Sequence, residues 1–179
     1  MDWLKHVSDI IDKYGSDRTQ GVPSSVEGDF DRLTQHAPAS AVSDGLAEAF
    51  RSDQTPPFAN MLSELFRRSP ATQKTSVLNT LVTVLGPTLV SQMLARHGAA
   101  RAAQEVETRQ GSISPEVADQ VPASSIEAIA KEAEQRDPSI VDRISRFYAE
   151  QPALVKTLGG LALTVAMAKI AQRQSQPQR

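Results

Sequence analysis

The amino-acid sequence predicts an all-α protein: an internally duplicated multi-helix bundle preceded by a separable amphipathic N-terminal helix. Three observations lead there. Aromatic residues are only 4% of the 179 residues while apolar residues make up 40%, so a core must be built from Leu, Val, Ile and Ala, which suits helices better than a sheet sandwich. No stretch of useful length alternates with period two and carries β-branched residues, whereas several repeat their apolar residues at helical spacing. One part of the chain also matches another in an ordered series.

The first element is an N-terminal helix within residues 1–15. Trp3, Leu4, Val7, Ile10, Ile11 and Tyr14 fall on one helical face, Lys5, Asp9, Asp12 and Lys13 lie off it, and Gly15 suits the position just past the helix end. That face is the candidate interaction surface. Residues 16–24 read as a polar linker. The acidic second residue, and the lack of an apolar run of roughly 7–15 residues, argue against a secretory signal and lead us to expect a cytoplasmic protein.

Beyond the linker, proline punctuates the chain at helix starts. Thr55-Pro56, Ser69-Pro70, Ser114-Pro115 and Asp137-Pro138 each pair a capping side chain with a residue whose φ is preset and which wastes no donor. Ser24-x-x-Glu27 and Ser124-x-x-Glu127 have the spacing of capping boxes. Thr75 to Ala95 carries no charge, but Gly86-Pro87 interrupts it, which predicts two short helices rather than one membrane span.

The self-match carries the architecture. Pro38, Ala39, Ser40, Glu48 and Ala49 correspond to Pro122, Ala123, Ser124, Glu132 and Ala133, 84 residues on. After a two-residue deletion, Leu62, Ser63 and Phe66 correspond to Ile144, Ser145 and Tyr148, and Pro70-Ala71-x-x-Lys74-Thr75 to Pro152-Ala153-x-x-Lys156-Thr157. The copies are residues 25–95 and 114–173, joined by an Ala-rich connector, 96–113, and followed by a tail, 174–179. Each copy should pack around its apolar fourth helix.

In the second copy that helix is expected over Leu154 to Ala171. Gly159, Gly160, Ala162 and Ala166 form a small-residue strip that would let another helix approach, since a glycine inside a helix costs about 1 kcal/mol and calls for a packing reason. Leu154, Leu158, Leu161 and Val165 form a large apolar strip beside it, and Leu163, Met167 and Ile170 continue the apolar surface.

Few residues point to chemistry. His6, His36 and His97 have no metal-ligand spacing. Asp29 and Asp31 read as solvated acids of an early helical turn. Lys74-Thr75 and Lys156-Thr157 lack the glycines of a phosphate-binding loop and read as lysines whose stems lie on an apolar face while their ammonium groups reach water. A net charge of −2, with no aromatic residue among Arg67, Arg68, Arg96 and Arg101, gives no support to nucleic-acid binding. The chain has no cysteine, which excludes disulfides, thiolate metal sites and a cysteine nucleophile.

The sequence therefore leads to a non-catalytic interaction or scaffolding protein without cofactor, whose partner is a second copy or another protein. The alternative is a peripheral membrane protein that exposes its apolar helices, and a third reading is an enzyme of unknown type.

Overall fold

The computed structural model describes residues 26–175, with side chains as far as Ala171. Among these residues all regular structure is helical, with no strand. In chain order the elements are α1 (Val26–His36), α2 (Ala39–Arg51), α3 (Phe58–Arg68), α4 (Ala71–Leu85), α5 (Pro87–Arg96), α6 (Ala100–Thr108), α7 (Pro115–Ala118), α8 (Ala123–Arg136), α9 (Ile140–Ala149), α10 (Pro152–Val155), a 3₁₀ turn (Lys156–Leu158) and α11 (Gly160–Ser175). The candidate interaction face Trp3, Leu4, Val7, Ile10, Ile11 and Tyr14, and the Ser24-x-x-Glu27 box with it, lie outside the described residues or depend on one that does.

The helices fall into two compact units. The first joins the chain up to Pro57 to the chain from Ser145 onward. Within it α2 packs along α11, and α11 also lies on α1. Phe30, Leu46, Tyr148, Leu163, Met167 and Ile170 are buried there. The second unit is Phe58–Ile144, in which α3 packs on α8, α5 on α6, and α4 on α7, α8 and α5. It buries Leu62, Phe66, Leu78, Leu81, Leu94, Val106, Ile126 and Ile129. Units and chain order do not coincide, because the first unit takes segments from both sides of the second.

Gly86 and Pro87 break the uncharged stretch as their chemistry predicts. Gly86 has φ +87°, Pro87 opens α5, and the axes of α4 and α5 meet at 119°.

The capping hydroxyls act otherwise than expected. The residues before α2, α4 and α8 are Pro38, Pro70 and Pro122, and no side chain caps these helices. Ser124 sits inside the first turn of α8, so its capping box does not form. Ser69 Oγ turns back to the Leu65 carbonyl at 2.6 Å, and Thr55 Oγ1 donates to the Ala49 carbonyl, each closing the end of the preceding helix. The preset φ of proline orders these helix starts by itself, which leaves the hydroxyls for orphan carbonyls one element earlier.

The helix expected over Leu154 to Ala171 is not continuous. It divides into α10, the 3₁₀ turn and α11 at Gly159, which has φ +97°. Only glycine takes that conformation without strain, so Gly159 serves a turn rather than a close helix contact.

Candidate functional site

Most of the polar side chains drawn into the two units hold helices together. Lys74 on α4, its side chain only 10% exposed, donates to Asp119 at 3.0 Å and lies 5.3 Å from the centroid of the Phe66 ring. Lys156 donates to Asp31 on α1, also at 3.0 Å. Both ammonium groups therefore meet a carboxylate, Lys74 from a buried stem and Lys156 at a part-exposed position. Asp31 is a partner rather than a merely solvated acid. Asp29 is buried at the residue level and lies 3.6 Å from Arg32.

In the second unit, Ser91 Oγ contacts the Ala103 carbonyl at 3.1 Å and a Glu107 carboxylate oxygen at 2.9 Å, clasping α5 to α6. Ser125 Oγ donates to the His97 carbonyl at 3.0 Å. Glu105 accepts from the Ser114 N–H at 2.9 Å and from Ser114 Oγ at 3.1 Å, with Arg109 at 3.3 Å. Burial works to raise the Glu105 carboxyl, but the two Ser114 bonds, with Arg109 and Arg101, hold it below its ordinary range. His36 and His97 are exposed, and His97 contributes a carbonyl rather than its ring. Among the described residues no group of three His, Asp or Glu side chains is placed to hold a metal ion.

The hollows among the described residues include one in each unit. One, of about 310 Å³, lies over Arg101, Glu105, Arg109 and Ser114, where Glu105 is already joined to Arg109 and Ser114. The other, of about 430 Å³, is bordered by Ser40, Ser43, Asp44, Arg146 and Glu150. Neither has the largely apolar lining with a few converging polar groups that marks a small-molecule site.

The small-residue strip is only partly where the sequence suggests. Ala162 and Ala166 are buried, Gly160 is half-buried at the start of α11, and Gly159 is exposed with nothing within 4 Å of a Cβ built on it. The close approach belongs to Gly45 on α2, where a Cβ would lie 2.6 Å from the Ala166 carbonyl oxygen and 2.6 Å from Ile170 Cγ1. A glycine within the helical pattern of residues 39–51 was the signal available for it.

The neighbouring large apolar strip is only partly open to solvent. Leu163, Met167 and Ile170 are fully buried, whereas Leu154, Leu158 and Val165 are half-buried and Leu161 is 46% exposed, the one exposed large apolar side chain among the described residues. Leu161 and Val165 share a face of α11, whereas Leu154 and Leu158 come before the turn at Gly159. Compared with protein-family models, curated proteins and solved structures, the chain matches none.

Proposed function

We propose that this chain is a non-catalytic helical protein that works by contact with other proteins, a second copy of itself first among them. The observation that carries the reading is Leu161, exposed on α11 beside half-buried Val165, with half-buried Leu154 and Leu158 before the turn. An exposed large apolar side chain with part-open apolar neighbours offers a surface for association. The polar residues support the same reading, because Lys74, Lys156, Ser91, Ser125 and Glu105 serve helix packing. Light scattering over a wide range of concentration tests it. The mass should rise from monomer to a defined oligomer, and Leu161→Asp should weaken that rise. A mass that stays monomeric throughout, with no bound protein partner, contradicts the reading.

We further infer that the chain is a duplication whose copies exchange helices. The repeated lysines behave alike: Lys74 of the first copy pairs with Asp119 of the second, and Lys156 of the second with Asp31 of the first. Matched positions are buried alike, with Leu62 and Ile144, Phe66 and Tyr148, and Leu81 and Leu163 all at 0% exposure. On this reading the first unit combines α1 and α2 of one copy with α11 of the other. The second combines α3 and α4 of the first copy with α7 and α8 of the second.

A membrane-associated role is the second reading, and one observation favours it. No single described helix is long and apolar enough to cross a membrane, but the bent pair α4–α5 passes on length and composition. The hydroxyls of Thr75, Thr80 and Thr83 also fold back onto carbonyls four residues earlier, which suits an apolar medium. Flotation with liposomes separates the two: recovery with the vesicles supports the membrane reading, and a defined oligomer left in solution supports the first.

A further inference from the structure

We propose that two copies of this chain join by exchanging α1 and α2, so that the α2 of each lies along the α11 of the other. This rests on the reading that copies associate, and adds a contact on the helix that exposes Leu161. The first unit is built from two separated segments: the arm of α1 and α2 precedes the second unit in the chain, and α11 follows it. Within the unit both helices of the arm pack on α11. The α11 of a second copy offers the identical surface, so exchange returns every contact between arm and α11.

The fit of that contact selects its occupant. A Cβ at Gly45 would lie 2.6 Å from the Ala166 carbonyl oxygen, so α11 accepts there a helix with glycine at that position. Asp31 on α1 meets Lys156, just before α11, at 3.0 Å. A second arm reproduces both the gap and the charge.

The link after the arm permits the exchange. Residues 52–57 join α2 to α3, and Asp53, Gln54, Pro56 and Pro57 are exposed. Extended, these six residues reach about 20–22 Å, roughly twice the diameter of a helix. Pro56 and Pro57 have φ preset, and a residue before proline favours extended backbone, so the end of the link is inclined to run straight. Its turn at Asp53–Gln54 is closed by Thr55, whose buried hydroxyl donates to the Ala49 carbonyl at the end of α2 and lies 3.1 Å from the Ser52 carbonyl. Exchange straightens the link and gives up this clasp, so Thr55 holds the arm on its own chain.

The chain has no cysteine, so single thiols report on chosen pairs. One full-length chain carries Asp31→Cys and a second carries Lys156→Cys, at positions that are both part-exposed. The reagent is a short bis-maleimide that links the double variant, Asp31→Cys with Lys156→Cys, within a dilute monomer. The two single variants are mixed, warmed to just below melting so that arms open, cooled at a concentration where light scattering gives the oligomer, and treated. They should yield a covalent dimer holding one chain of each kind, and either chain treated alone should yield little. Thr55→Val in both chains removes the hydroxyl at nearly the same side-chain volume and should raise the yield of that mixed dimer several-fold. An oligomer that gives no link between unlike chains, or a Thr55→Val yield no higher than that with Thr55 in place, would overturn the exchange and leave self-association standing. A chain that is monomeric at every concentration would overturn both.

Discussion

At Gly45 the backbone of α2 comes against α11 so closely that a methyl group would meet the Ala166 carbonyl. A carbonyl in a helix cannot swing aside as a flexible side chain can. Gly45→Ala should therefore destabilise the first unit by about 1–3 kcal/mol despite the better helix propensity of alanine. An unchanged melting temperature would show that α2 and α11 separate at little cost. Lys74 gives a second test. Its ammonium is held by Asp119, whose own side chain is 60% exposed, and lies 5.3 Å from the centroid of the Phe66 ring. Asp119→Ala leaves a buried charge without this partner and should cost about 1–3 kcal/mol. Lys74→Met removes the charge, keeps the stem and should be the milder change. Denaturant melts that rank the two the other way round would contradict the pairing. The sequence marked Lys74 and Lys156 through their repetition, but not their partners. Asp31 and Asp119 lie 125 and 45 residues away from those lysines, and which acid a long side chain meets is set by helix packing, not by local pattern.

Elements were legible where the local signal is covalent. Proline and glycine fix φ directly, so the break at Gly86–Pro87 and the helix starts at Pro70 and Pro115 follow from the residues themselves. The hydroxyls misled, because a serine or threonine before a proline can serve either the helix ahead or the one behind. Gly159 misled in the same way: an apolar run on both sides reads as one helix although the backbone turns there. Between α6 and α7 the element-scale prediction concerns acid. Glu105 holds the start of α7 through both Ser114 bonds, and its carboxyl lies below its ordinary value of 4.5. The folded chain thus binds that proton more weakly than the unfolded chain does. The stabilisation is complete above pH 4.5 and is lost as pH falls through the lower folded value. Glu105→Gln should cost about 1–3 kcal/mol near neutral pH and flatten the acid limb of the stability curve, read by chemical melts at several pH values. Glu64 is also lowered, chiefly by its hydrogen bond from Arg67, but its side chain is 52% exposed, so its share of that limb should be small.

For the molecule as a whole, what was legible is an ordered match of prolines, apolar positions and the shared PAxxKT, on which the proposed duplication rests. The partition into units was not. A repeat suggests copies that fold side by side, but α2 packs along α11 and α8 along α3, so each unit draws on distant parts of the chain. Pairing across such separations leaves no trace in local periodicity. It does have a consequence that can be measured. Gln110 and Gly111 form a turn at positive φ between α6 and α7, where Gln110 is exposed and a cut disturbs little. Residues 1–110 then hold α1 to α6, and residues 111–179 hold α7 to α11, so neither fragment contains a complete unit. The account predicts that each fragment alone is molten or aggregated by near-UV circular dichroism and chemical melts, and that mixing them in equal amounts restores a helical complex with cooperative unfolding. Two fragments that each fold as a stable monomer with a sharp transition of its own would contradict it.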